Sequence, residues 1–258
     1  MVEMRHSEFQ AGASCSHVFF SYAKRGALAL DDLTLRIPPG FTALVGANGA
    51  GKSTILKIMA SLLTPARGEV SVDGVKYEGA TKTKYREKIG WLPQDIPVIP
   101  RFTALDSVEY YGWLGGQTGA QARKQAPQAL AAVGLLDMSN QHMSSLSGGQ
   151  LRRLGIAQVL VRQTPWMLLD EPTAGLDPLQ KHSLVELLCS LKGRLNCVIS
   201  THDFEYFAML YDYAVVVEHG RVLWQGSAQE YLELGNGVGD GDGGAFQAYV
   251  KLVGSGRP

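Results

Sequence analysis

A chain of 258 residues with 45% apolar side chains can bury one large α/β core or two modest units. Its 24 basic and 24 acidic residues cancel, so nothing electrostatic recommends nucleic acid or an anionic membrane surface as a direct partner. Cys15, Cys189 and Cys197 have neither Cys-x-x-Cys spacing nor an even count, which argues against a disulfide framework and for reduced packing residues in a cytosolic protein. The first 25 residues carry charges throughout, unlike a secretory signal, and no window has the uninterrupted apolar length that crosses a bilayer. Any role at a membrane then requires another chain to span it.

In chain order, the residues before His17 lack a clear period and are expected to form a loose leader. Val18 to Tyr22 reads as a strand, and Ala27 to Ile37 as another, with apolar residues at Leu28, Leu30, Leu33, Leu35 and Ile37. Tyr22 can be read as an aromatic that stacks on a purine or as a half-buried strand residue. Pro38-Pro39-Gly40 makes a turn before the apolar run Phe41 to Val45, which leads into Gly46-Ala47-Asn48-Gly49-Ala50-Gly51-Lys52-Ser53-Thr54. This G-x-x-x-x-G-K-S spacing is the P-loop pattern. Its glycines let backbone N–H groups wrap an anion at a helix start, Lys52 reaches the β- and γ-phosphates, and the Ser53 hydroxyl can ligate Mg²⁺. Ile55, Leu56, Met59, Leu62 and Leu63 form one helical face that Pro65 ends, and Glu69 to Val75 continues an antiparallel portion through an Asp73-Gly74 turn.

Ile89 to Gln94 reads as a short buried strand with Gln94 at its end, followed by a proline-punctuated loop, residues 95–100. From Thr103 to about Leu136 the period becomes helical, with Leu105, Val108 and Tyr111 on one segment and Ala126, Leu130 and Val133 on the next. Pro97, Val98, Ile99, Phe102, Tyr110, Tyr111 and Trp113 either line a docking groove or fill the core of this inserted helical subdomain. In Leu146-Ser147-Gly148-Gly149-Gln150, Ser147 stands at an N-cap position, so the helix that follows is either a second anion-ready start or an ordinary capped one. Trp166 to Leu169 is an apolar strand ending in Asp170 and Glu171. At the carboxyl edge of a parallel sheet, one such carboxylate can hold Mg²⁺ and the next can orient or deprotonate water. Leu179 to Leu191 is helical, with Leu184, Leu187, Leu188 and Leu191 inward. Asn196 to Ser200 is another buried strand, which delivers His202 to the same edge, where contact with a γ-phosphate outweighs a structural role. Tyr213 to Val217 and Arg221 to Gln225 form a closing hairpin, Gly235 to Gly244 a Gly/Asp linker, and Phe246, Tyr249, Val250 and Val253 mark a terminal helix whose partner the sequence does not name.

Together these pieces resemble the nucleotide-binding subunit of an ATP-binding cassette (ABC) transporter, over about His17 to Leu234. Tyr22 matches the family's adenine-stacking aromatic, Gly46 to Thr54 its Walker A loop, Gln94 its Q-loop glutamine, and Leu146 to Gln150 its signature sequence. Asp170 matches the Walker B aspartate, Glu171 the catalytic glutamate, Gly175-Leu176-Asp177 the D-loop and His202 the switch histidine. The resemblance implies a P-loop NTPase core with a parallel sheet, an antiparallel β subdomain and an inserted α-helical subdomain at about 95–162. Residues 1–234 would form the ATPase domain and 235–258 a linker with a short terminal segment. ATP would be held by Tyr22, Gly46, Asn48, Gly49, Ala50, Gly51, Lys52, Ser53 and Thr54 of one copy and by Ser147, Gly148, Gly149 and Gln150 of a second copy closed on it head to tail. Mg²⁺ would be held by Ser53, Gln94 and Asp170, with Glu171, His202 and Gln94 acting in hydrolysis.

An integral membrane permease is the further partner this implies, docking near the aromatic-rich region from Ile96 to Trp113. The chain itself would then be cytoplasmic, peripheral on the inner face of the cell membrane. Residues Gly90 to Gly116 and Arg152 to Leu160 look more like exporters than nutrient importers, with Gln158 where an Arg often stands and Phe41 in place of a frequently charged residue. The alternative is a soluble ABC ATPase in cofactor assembly or regulation. DNA-repair and translation versions carry a long heptad insertion or a second cassette, neither of which is present here.

Overall fold

The computed structural model describes residues 12–23, 26–204, 206–235 and 244–255. Residues Ile89–Leu195 form one compact unit, and the described residues on either side of them form the other. Of the leader expected before His17, residues up to 11 lie outside the described residues, as do residues 236–243 of the linker expected over Gly235 to Gly244; Ala13 to Ser16 form a strand instead, and Gly235 and Gly244 belong to helices.

The flanking unit begins with β1 (Ala13–Phe20), which starts five residues before the strand read from the pattern at Val18. Ala13 and Cys15 face inward, then Val18 and Phe20, because a bulge with His17 at φ 50° slips the two-residue alternation. Its antiparallel partner β2 (Leu30–Ile37) has the matching irregularity at Asp32, φ 56°, and buries Leu30, Leu33, Leu35 and Ile37. The strand expected from Ala27 therefore begins at Leu30, and Leu28 is exposed. The next strand, β3 (Phe41–Val45), is buried at every position, as its continuous apolar run demands.

Helix α1 (Lys52–Met59) buries Ile55, Leu56, Ile58 and Met59 but stops short of the expected Leu62, which is 58% exposed. The stop is a Schellman motif. Ser61 adopts φ 60°, its N–H donates to Ile58 O, and Leu62 N–H donates to Lys57 O. With serine instead of glycine at the left-handed position, the sequence carries no visible stop signal there. Strands β4 (Arg67–Val72) and β5 (Val75–Lys76) then join through Asp73-Gly74, whose φ values of 46° and 73° are those of a tight hairpin turn. The sheet order β2-β1-β4-β5 is antiparallel throughout. Helix α2 (Lys82–Arg86) closes this part, its buried Tyr85 hydroxyl donating to Met59 O at 2.6 Å.

Gly68 supports a stability prediction. At φ +96° it lies against the backbone of the bulged His17, so a Cβ there would collide with His17 O. Gly68→Ala is expected to destabilise the fold by about 2 kcal/mol or more, read as a lower urea midpoint at unchanged slope.

In the second unit, β6 (Ile89–Leu92) leads into α3 (Ala104–Leu114), α4 (Gly119–Ala132) and α5 (Gly148–Leu160), followed by β7 (Trp166–Asp170) and α6 (Pro178–Ser190). β6 and β7 are parallel, in the register Ile89↔Trp166 to Leu92↔Leu169. Helices α3, α4 and α5 each open on a complete capping box, Thr103 with Asp106, Thr118 with Gln121, and Ser147 with Gln150. Each cap contributes about 1 kcal/mol and fixes where its helix begins. Ala104, Val108, Ala122, Ala126, Leu130 and Val133 fill the space between α3 and α4.

The chain returns to the first unit with β8 (Asn196–Thr201), α7 (Phe207–Leu210), β9 (Tyr213–Glu218), β10 (Arg221–Ser227), α8 (Ala228–Gly235) and α9 (Gly244–Ser255). β3 lies between β8 and β9, parallel to both, and β9 turns back antiparallel into β10 through His219-Gly220. Beside β10 runs β2, with Arg36 N–H donating to Gln225 Oε1 at 3.1 Å and Arg221 paired with Asp31. The expected terminal helix is α9, and its partner is α8.

Candidate functional site

The phosphate loop sits where β3 ends. Gly51 is the N-cap residue of α1 and offers no side-chain acceptor, and the first turn carries no acidic residue. The first N–H groups of α1 thus lack the side-chain caps that α3, α4 and α5 supply for themselves. Gly49, at φ +81°, has open space where a Cβ would project, so a ligand can approach the backbone there. Lys52 is only 5% exposed, and its ammonium donates to Gly46 O at 2.7 Å and Ala47 O at 3.1 Å, holding the cation inside the loop. A buried cation beside a helix start without a side-chain cap suits a chain of phosphates. Ser53 follows in the first turn of α1.

The loop is braced from behind by the turn between β9 and β10. Gly220 N–H donates to Ala50 O at 2.9 Å, and a Cβ on Gly220 would collide with Ala29 O. The sequence marks Gly220 only as a hairpin residue; its support of the phosphate loop arises from a contact 170 residues along the chain and has no local signature. Tyr22, beyond the end of β1, is 65% exposed. It is not a half-buried strand aromatic. Its ring meets Phe20 edge-on at 5.0 Å, and its hydroxyl shares a 3.0 Å hydrogen bond with Thr54 Oγ1, fixing an open aromatic face beside α1. His202 is exposed immediately after β8, its backbone set by a turn in which Asp203 N–H donates to Thr201 Oγ1 at 2.9 Å.

Within the second unit, Asp170 ends β7 and is 3% exposed, and the chain then turns sharply at Glu171, φ 45°. A left-handed glutamate at a strand end is strained by about 1 kcal/mol or more, and such strain clusters at functional positions. Gln94 lies in the loop two residues beyond β6 and is exposed. Arg152 of α5, whose part in the site the sequence does not announce, donates from Nη1 to Gln94 O at 2.6 Å. Burial pushes the Arg152 guanidinium pKa down, and the Asp95 carboxylate opposes that shift. The arginine thereby ties the Gln94 loop to the helix that follows Ser147-Gly148-Gly149-Gln150. Ser147 Oγ accepts from Gln150 N–H at 3.3 Å while Gln150 Oε1 accepts from Ser147 N–H at 2.9 Å, so this start is capped by its own side chains. Gly149 lies under the Gln180 side chain of α6, and the α6 N-cap is Asp177, which accepts from Gln180 N–H at 2.8 Å.

The aromatic-rich segment divides. Val98, Tyr110 and Trp113 are exposed, and Phe102 meets Tyr110 edge-on at 5.7 Å while Trp113 stacks on Tyr110 at 6.0 Å. Phe102, Tyr110 and Trp113 border a groove of about 430 Å³ with Arg101, Asp106, Glu109 and Arg123 instead of filling the subdomain core. Among the described residues no group of three or more His, Cys, Asp or Glu side chains could hold a metal alone.

A phosphate cradle between a parallel strand and its following helix defines a P-loop nucleotide-binding protein. The match extends further, since residues 30–174 fit the ABC transporter family, and the chain belongs to that family. It is 38% identical, over 80% of its length and 76% of the relative's, to the cobalt import ATP-binding protein CbiO of Rhodobacter capsulatus. It is 34% identical, over 82% of its length, to the methionine import ATP-binding protein MetN of Corynebacterium diphtheriae, of which it spans 64%. Among solved structures, the dimeric structure of a bacterial ABC transporter cassette superposes with a TM-score of 0.74 at 30% identity, covering 84% of this chain and 98% of that one. CbiO1 of Clostridium perfringens, part of the ABC transporter complex cbiONQ, does so with a TM-score of 0.73 at 28% identity, covering 88% of this chain and 95% of that one. No helix among the described residues is long and apolar enough to cross a membrane.

Proposed function

We propose that this chain is the ATP-hydrolysing subunit of an ABC transporter, working as a head-to-tail pair against an integral membrane permease on the cytoplasmic face. The observation that carries this reading is the uncapped α1 start with Lys52 buried inside its loop. Tyr22 stacks on the adenine, Gly46 to Thr54 hold the phosphates, and Ser147 to Gln150 of the second copy close over them, the Ser147 hydroxyl donating to a phosphate oxygen while its oxygen still accepts from Gln150 N–H. Ser53, Gln94 and Asp170 would hold Mg²⁺, which when bound neutralises charge developing between the β- and γ-phosphates. Glu171 polarises the attacking water, and His202 and Gln94 contact the γ-phosphate side.

The dimeric structure of the cassette relative supports pairing. The groove at Phe102, Tyr110 and Trp113 is the surface on which a permease helix would seat, with Arg101 and Arg123 beside Asp106 and Glu109 around its rim.

For direction, residues 90–116 and 152–160 look more like those of exporters, whereas the relatives named for cobalt and methionine import favour the opposite sense. The deciding experiment is co-purification of the tagged Glu171→Gln chain from its native membranes with ATP, followed by transport assays of the corresponding wild-type complex in vesicles of both orientations. A stoichiometric polytopic membrane protein is expected, and ATP-dependent movement toward the face opposite the ATPase is the export outcome. Recovery with a soluble partner alone would replace the transporter reading with an ATPase of cofactor assembly or regulation.

A further inference from the structure

The segment that carries His202 is gripped from both sides by the C-terminal helices. Phe204, two residues on, places its ring 5.7 Å from Phe246 and 5.7 Å from Tyr249, both on α9. At the other end, the Phe207 ring of α7 packs tilted, at 4.9 Å, against Tyr231 of α8, which is fully buried and backed by Trp224 at 5.4 Å. Ahead of these grips the His202 backbone is shaped by the turn at Thr201, whose hydroxyl accepts from Asp203 N–H and donates to Asp203 O at 3.2 Å.

The two helices form a single clamp. Gly235 of α8 lies so close to Gly244 O that a Cβ could not be inserted, and Ala245 and Ala248 of α9 are buried against this contact. Small residues at the contact bring the helix backbones together, and the large aromatics are left to reach the His202 segment.

We propose that α8 and α9 act as a positioning clamp for His202, with Phe204, Phe246 and Tyr249 as positioning residues that set the rate of hydrolysis through the histidine. This rests on the reading of His202 as a γ-phosphate contact. It adds a consequence of its own, that α9 controls turnover while leaving ATP affinity alone, and anything that lifts α9 away slows hydrolysis.

The test is steady-state phosphate release by the full-length chain, comparing wild type with Phe204→Ala, Phe204→Tyr, the double variant Phe246→Ala/Tyr249→Ala, His202→Ala, and His202→Ala combined with Phe204→Ala. Because Phe204→Ala and the double variant each remove the edge-on and tilted ring packing that holds the segment to α9, kcat should fall about tenfold in both, KM for ATP staying within about twofold. Phe204→Tyr, which keeps the ring, should restore most of the rate. In the His202→Ala background, removing Phe204 should cost nothing further, because the residue acts through the missing side chain. A Phe204→Ala loss that multiplies with His202→Ala, or an unchanged kcat in Phe204→Ala where His202→Ala is crippled, overturns the clamp and leaves the role of His202 standing. Wild-type turnover by His202→Ala overturns both. If Phe204→Ala proves poorly folded, the double variant on α9 carries the same comparison, with amide exchange of residues 201–207 rising while that of 46–54 stays unchanged.

Discussion

Glu171→Gln is expected to lower ATP turnover of the assembled complex at least about 100-fold, equivalent to about 2.7 kcal/mol of transition-state stabilisation, while leaving ATP binding intact. The substitution preserves shape while it removes the charge that would polarise water and turns one acceptor oxygen into an amide donor. A second variant separates chemistry from backbone strain. Glu171 holds φ 45° directly after β7, a conformation that glycine adopts without penalty. Glu171→Gly should therefore melt higher than Glu171→Ala, which lacks the same side chain but keeps the strained φ, yet it should hydrolyse no more ATP than the glutamine variant. Phosphate release and thermal melts measure the two effects independently. Wild-type hydrolysis by Glu171→Gln would remove the residue from the chemistry and leave its strained backbone as a turn feature only.

What the sequence reveals about this molecule follows the distance over which each feature is encoded. The phosphate loop, the capping box at Ser147 and the strand running into Asp170 are contiguous, so their residues and their geometry arrive together. The two bulges at His17 and Asp32 are hidden, because a histidine and an aspartate in the left-handed region carry none of the signal that a glycine would. Ser61 conceals the end of α1 for the same reason, and the pattern reading overruns to Leu63. Contacts between distant residues are less legible still. Neither Arg152 on the Gln94 carbonyl nor Gly220 behind Ala50 follows from any period or motif, and the grip of α9 on Phe204 joins two segments that each look ordinary alone. The exposed row of Tyr110 and Trp113 shows the limit of reading burial from composition, since small residues, Ala104, Ala122 and Ala126, take the core positions and the aromatics turn outward.

Lys52→Ala is expected to weaken ATP binding at least about 30-fold, near 2 kcal/mol, and to bring turnover below detection. The side chain is 5% exposed, and its ammonium already lies among the loop's own carbonyls, Gly46 O and Ala47 O. Phosphate oxygens arriving at the loop would therefore meet a cation that is desolvated and placed before they bind, which makes its charge worth more than that of a solvated lysine. Without nucleotide the same substitution should shift stability by less than about 1 kcal/mol, because the loss of its hydrogen bonds, those to Gly46 O and Ala47 O among them, is offset by release of a buried charge. Lys52→Arg distinguishes charge from geometry. The guanidinium is a larger planar fork, and a site this enclosed has no room to turn it, so its affinity should fall within a few-fold of the alanine variant despite the retained charge. Isothermal titration with ATP and its non-hydrolysable analogue measures all three proteins on one scale. If Lys52→Arg binds like wild type, the loop recognises charge alone and the close fit of the ammonium is incidental; if Lys52→Ala also binds like wild type, the cradle at the start of α1 is not the phosphate site.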